Sequence, residues 1–135
     1  MSNENNNILK IDLDIKLKKD VMIHLIERLN FFIKVDFLES KDIIRIELIK
    51  KQTYGCLIYL DPGTFKLSFD KLVIMQLLFG SDYKKETCSL LNYHAYKYNY
   101  ANRLFTVKRY SSGKIIKAKI MNVTNTIKSK LDSHP

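Results

Sequence analysis

Residues 9–18 read LKIDLDIKLK. Leu9, Ile11, Leu13, Ile15 and Leu17 alternate without a break against Lys10, Asp12, Asp14, Lys16 and Lys18. Successive side chains of an extended chain point to opposite faces, so this strict period of two predicts a strand with one face on a core. Such a face needs an apolar cover, and the residues that follow supply one. Asp20 is placed to cap a helix, because a short carboxylate can accept from the free N–H groups of a first turn. Met22, Leu25, Ile26, Leu29, Phe32 and Ile33 then recur at helical spacing, with Glu27, Arg28 and Lys34 off the stripe. Strand and helix together predict a helix laid on a sheet.

Working outward, Ile43–Lys50, Tyr54–Leu60 and Thr64–Phe69 read as three further strands. Lys51-Gln52-Thr53 links the first pair, and Asp61-Pro62-Gly63 is a turn in which Pro fixes φ and Gly permits a positive φ. Asp70 can cap a second helix, Lys71–Phe79, which Gly80 would end. That helix, LVIMQLLF over residues 72–79, is apolar almost all round, which predicts burial or a covering partner. Ser81–Ser89 reads as a loop.

In Asn92–Arg103, NYHAYKYNYANR, a strand reading sets His94, Tyr96, Tyr98 and Tyr100 on one face. A helix reading gives only an incomplete stripe of Leu90, Tyr93, Tyr100 and Leu104 that Lys97 interrupts; the cleaner alternation favours the strand. Leu104–Tyr110 and Lys114–Met121 read as a hairpin around Ser111-Ser112-Gly113. An even-length loop would gather Phe105, Val107, Ile116, Ala118 and Ile120 on one side and Thr106, Lys108, Tyr110, Lys117 and Lys119 on the other. It would also set Lys108 opposite Lys117. Residues 122–131 allow a short helix.

The fold class expected is α+β in one domain over residues 8–131. It has a mainly antiparallel sheet of about five to seven strands and two main helices, in the order β-α-β-β-β-α-β-β-β. A polar tail (1–7) precedes it and a frayed end (132–135) follows. The tail, MSNENNN, has neither the basic nor the apolar region of a signal peptide, and no apolar run approaches a membrane span. With only two cysteines, Cys56 and Cys88, the chain reads as cytoplasmic and reduced.

The 135 residues carry 23 Lys+Arg against 14 Asp+Glu. Lys outnumbers Arg 19 to 4, beside 16 Ile and 10 Asn, a bias that AT-rich coding produces without any functional pressure. Codon bias does not explain where the charge sits. Residues 1–86 net +1, while residues 87–135 hold nine basic residues and one acid, Asp132, for a net of +8.

A row of tyrosines beside a lysine face has the physics of a single-strand nucleic-acid platform, rings stacking on bases and ammonium groups meeting phosphates. The residues that would do this are Tyr96, Tyr98, Tyr100 and Tyr110 for stacking, and Arg103, Lys108, Lys114, Lys117 and Lys119 for phosphate. No zinc-finger spacing, ribonucleoprotein octamer or clear helix-turn-helix accompanies them.

Catalysis has less behind it. Cys88 and His94 could act as nucleophile and base, but nothing nearby would orient the base. Asp12 and Asp14 share a strand face, yet alternate with lysines like any solvated face. Two separated cysteines and three scattered histidines offer no tight ligand pair, so neither metal nor other cofactor is expected. His24 reads as solvent-exposed.

The sequence therefore points to a non-catalytic binding protein whose basic C-terminal half meets an anionic partner, nucleic acid or an acidic protein, rather than a small-molecule substrate. The alternative is a small subunit of a secretion, phage or plasmid-encoded assembly. It would use Leu72, Ile74, Met75, Leu78 and Phe79 as an interface and leave room for homo-oligomers.

Overall fold

In the computed structural model, which describes residues 7–95, 107–109 and 115–131, the alternating stretch is an edge strand, β1 (Ile8–Ile15). It pairs with β3 (Tyr54–Leu60), β3 with β2 (Ile43–Lys50), and β2 with β6 (Lys119–Asn122), every pair antiparallel. Leu9 lies opposite Ile58 and Ile11 opposite Cys56, while Leu48 meets Cys56 from the other side. Buried side chains of three strands thus fall on one face.

Helix α1 (Lys18–Lys34) covers that face with Val21, Leu25, Leu29, Phe32 and Ile33, and Met22 and Ile26 pack at its margin. Burying side chains of this size contributes roughly 1.5–3 kcal/mol each. The helix α4 (Thr124–Lys128) adds Ile127 and, just before it, Val123 to the same core. The α+β class stands as read, with a main sheet of four strands.

Several boundaries differ from the sequence reading. Helix α1 starts at Lys18, with Leu17 at the cap position, so Asp20 lies in the first turn, where its charge meets the positive end of the helix dipole. Thr64–Phe69 is not a strand. The Thr64 and Phe65 N–H groups both donate to the Asp61 carbonyl, at 3.1 and 2.8 Å, and the Thr64 hydroxyl donates to its carboxylate. Ser68 then caps α2 (Phe69–Leu78), its Oγ accepting from the Lys71 N–H, in place of Asp70.

Ser81–Ser89 is helix rather than loop for most of its length. Helix α3 (Tyr83–His94) is capped by Asp82, whose carboxylate accepts from the Lys84 N–H, and it takes in Asn92, Tyr93 and His94 as its last turn. The strand predicted from Asn92 therefore does not begin there. Its stripe is Glu86, Leu90 and Tyr93, and the Tyr93 ring stacks on Phe69 with centroids 4.2 Å apart. Asn7, assigned to the tail, is tied to the sheet through its side-chain N–H and the Leu60 carbonyl. Residues 1–6 and 132–135 lie outside the described residues. Among those described, no helix is long and apolar enough to cross a membrane.

Among the described residues the glycine that needs its freedom is Gly80, at φ +93°, and not Gly63. It ends α2 against α1, where His24 is half-buried and its Nε2 is 2.6 Å from the Phe79 carbonyl oxygen. The expectation of a solvent-exposed His24 fails because α2 docks on that side of α1. A Cβ at position 80 would stand 2.8 Å from the His24 ring. Gly80→Ala is expected to cost about 2 kcal/mol, from a left-handed backbone and a displaced ring together. Urea unfolding checks this, and an unchanged midpoint would contradict it.

Candidate functional site

Edge strands leave a row of backbone N–H and C=O groups without a ladder partner. On the outer side of β1 they include those of Lys10 and Asp12, and α2, α3 and the turn between them answer all four. Gln76 Oε1 accepts from the Lys10 N–H at 2.9 Å, and Lys85 Nζ donates to the Lys10 carbonyl at 2.8 Å. Ser81 Oγ accepts from the Asp12 N–H at 3.0 Å, and the Asp82 N–H donates to the Asp12 carbonyl at 2.7 Å. Glu86, 1% exposed, gathers this set: Gln76 Nε2, Ser81 Oγ and Lys85 Nζ lie 2.6, 2.6 and 2.9 Å from its oxygens.

Burial pushes the Lys85 ammonium pKa down, partly opposed by the Glu86 charge and hydrogen bond. Asp12, half-buried on the same edge, has its carboxyl pushed up by desolvation, with Lys51 pulling the other way. The serine-lysine-glutamate grouping looks like catalytic equipment, but its groups are already engaged. Ser81 Oγ takes the Asp12 N–H and gives its proton to Glu86, while Lys85 bridges Glu86 and a backbone carbonyl. Among the described residues no buried side-chain polar atom is without a partner. The cluster's role here is structural. The sequence reading missed it, although Gln76 inside an otherwise apolar run was a signal.

The cationic residues are placed differently from their predicted arrangement. Strands β4 (Val107–Arg109) and β5 (Ile115–Lys117) form a separate two-stranded ladder, with Val107 opposite Lys117 and Lys108 opposite Ile116. This is the odd-loop register, one residue from the one expected, and it keeps Lys108 from directly facing Lys117. The predicted long second strand is split at Ala118, and its remainder is β6, in the main sheet. There Met121 lies opposite Leu48 and packs on the core, while Ile120 faces out at 54% exposure, the reverse of the predicted faces.

Lys119 is exposed on β6 and lies directly opposite Lys50 of β2. A like-charge pair does face itself across a ladder, at a position the sequence did not suggest. Lys50 Nζ sits 5.5 Å from the Tyr54 ring centroid. Such a pair costs a few tenths to about 1 kcal/mol in water. Tyr96, Tyr98, Tyr100, Arg103, Tyr110 and Lys114 lie outside the described residues.

The apolar helix divides. Leu72, Met75 and Phe79 are core residues, so they are unavailable as an interface, whereas Ile74 and Leu78 are 55% and 51% exposed. Cys88 and His94 sit on one helix about 120° apart, and His94 lies 3.5 Å from Asp70 instead. Asp14 takes a left-handed φ of 53° where β1 bulges, so the regular alternation of the strand is broken between Asp12 and Ile15. An open groove of about 540 Å³ runs between Ile44, Arg45, Asn122, Thr124, Asn125 and Thr126. Its Arg45 is held by Glu47 at 2.7 Å, and Glu47 also accepts from the Tyr59 hydroxyl.

No protein-family model, curated protein or solved structure matches the chain.

Two substitutions test the edge cluster. Glu86→Ala leaves Gln76, Ser81 and Lys85 without their common acceptor and is expected to cost about 3 kcal/mol or more in urea unfolding, with Glu86→Gln milder. Asp12→Asn is expected to stabilise at pH 7. Because the folded pKa lies above the ordinary value of 3.8, the native carboxylate is penalised above that range, and the gain from removing it vanishes below it. A neutral-pH loss on Asp12→Asn would contradict the desolvation argument.

Proposed function

We propose that the chain is a non-catalytic, cytoplasmic binding protein that holds a nucleic acid, single-stranded by preference, on its basic C-terminal part. The observation that carries this reading is the Lys50–Lys119 pair: two exposed lysines set opposite each other at the end of the sheet. It belongs to a chain whose residues 87–135 net +8. An arrangement that costs the free protein stability gains it back when an anion sits between the charges. Lys108 and Lys117 would continue the phosphate contacts onto the β4–β5 ladder, with Arg103 and Lys114. Tyr96, Tyr98, Tyr100 and Tyr110 would stack on bases.

The reading predicts opposite signs for one substitution. Lys119→Glu should raise the fold's stability by about 0.2–1 kcal/mol, because it turns a repulsive cross-strand pair into an attractive one. The same change should weaken binding, and Lys117→Glu with Lys119→Glu should abolish it while the protein stays folded. Anisotropy of labelled single- and double-stranded DNA and RNA across a salt series provides the measurement, with affinity falling steeply as salt rises. Binding left intact by the double change would overturn the assignment of this surface.

A second reading, the small subunit of a larger assembly, is favoured by the exposure of Ile74, Leu77 and Leu78 on α2. Large aliphatic side chains grouped on one helix face are what an interface covers.

A further inference from the structure

Helix α1 has a second face that its own fold leaves in water. Asp20, Ile23, Glu27, Phe31 and Lys34 are all exposed, Ile23 at 46% and Phe31 at 58%. At 100° per residue the five fall within about 80° of one another, on the far side of the helix from Val21, Leu25 and Phe32. The stripe is symmetric in its chemistry about Glu27. Four residues before it stands Ile23 and four after it Phe31; seven before it stands Asp20 and seven after it Lys34. An apolar pair and an oppositely charged pair are thus spaced equally about one centre.

A face of that kind is complementary to itself when reversed. We infer that this stripe is a homodimer interface, in which α1 packs antiparallel on α1 of a second copy of the chain about a twofold axis at Glu27. Twofold contacts require that residue i meets j and j meets i. This axis brings Ile23 against Phe31 of the second copy, and Asp20 against its Lys34, each twice.

Three observations single out a second copy as the occupant. Among the described residues, none of Asp20, Glu27 and Lys34 is engaged in an ion pair within its own chain, so both ends of the stripe are open to a partner. Residues 1–86 net only +1, so two copies can meet through this part of the molecule without the repulsion that the +8 half would bring. The apolar area also extends past α1. Arg28 donates to the Leu78 carbonyl, which sets the exposed end of α2, with Leu77 and Leu78, on the flank of α1 that carries Phe31 and Val35.

Glu27 is the one mismatch, since the axis sets its carboxylate against its own copy. That gives the test a sign. Sedimentation equilibrium of the full chain between about 10 and 500 µM should show the mass rising from 15.9 kDa toward twice that value. Phe31→Lys should hold it at the single-chain mass, and Glu27→Gln should tighten association. Asp20→Lys and Lys34→Asp should each weaken it about tenfold, and the two together should restore it, because the exchanged charges again meet across the axis.

Thermal melts check that each variant is folded, and the charge exchange decides the matter should Phe31→Lys unfold. A single-chain mass at every concentration would overturn the inference. So would a dimer indifferent to Phe31→Lys, or a charge exchange that fails to restore association.

Discussion

The outer edge of β1 must find partners for its backbone groups, and the architecture follows from how it does so. Among the described residues no fifth strand arrives there. The α2–α3 pair instead presents an acceptor, a donor, another acceptor and another donor, from Gln76, Lys85, Ser81 and Asp82, in the order a strand would offer them. Each has to come from a fixed place on its element. Gln76 must therefore sit in an otherwise apolar helix, Gly80 must turn the chain with a positive φ, and Glu86 must be buried as the acceptor common to three donors. Burying an unpaired carboxylate would cost several kcal/mol, so the cluster holds only when complete.

The two ends of the sheet are consequently unlike. The β1 end is closed by three side chains and the Asp82 N–H, and carries a mixed, mutually satisfied set of charges. At the other end β6 joins β2 through a short ladder, and the turn into α4 is pinned by Thr124, whose hydroxyl accepts from the Ile46 N–H and donates to Asn122. There Lys50 and Lys119 face each other, and among the described residues neither is in an ion pair. Satisfied charges hold a fold together, whereas uncompensated ones of like sign are held at a cost the fold must carry. That contrast is why we propose a binding surface at Lys50 and Lys119 and not in the chemically richer cluster under α3.

Local pattern made much of the framework legible. The 9–13 alternation and the α1 stripe each have one dominant period, and burial follows it, whereas Leu17 at the α1 cap is 62% exposed. Ile43–Lys50 and Tyr54–Leu60 are strands as read, but Ile46, Glu47, Leu48 and Ile49 are buried in succession, with no period of two. Reading failed where short polar side chains chose among caps and turns. Ser68 rather than Asp70 begins α2, and Asp61 folds Thr64 and Phe65 into a turn rather than a strand. The hairpin register failed for a related reason: apolar segregation argued for one slip, but the second strand is shared between two ladders and obeys Leu48 in the main sheet. The pairing of Lys50 with Lys119 joins positions far apart in sequence, so no local pattern could announce it.

Amide hydrogen exchange at Lys10 and Asp12 tests most directly whether side chains close this edge. Among the described residues neither N–H has a strand beyond it, and each is donated to a side-chain oxygen from α2 or the turn that follows it. If the helix pair stands in for a strand, both amides exchange as slowly as those of Leu9 and Ile11 and speed up together in Glu86→Ala. Rapid exchange at Lys10 and Asp12 in the native protein would contradict the account, because it would mean that the edge is open.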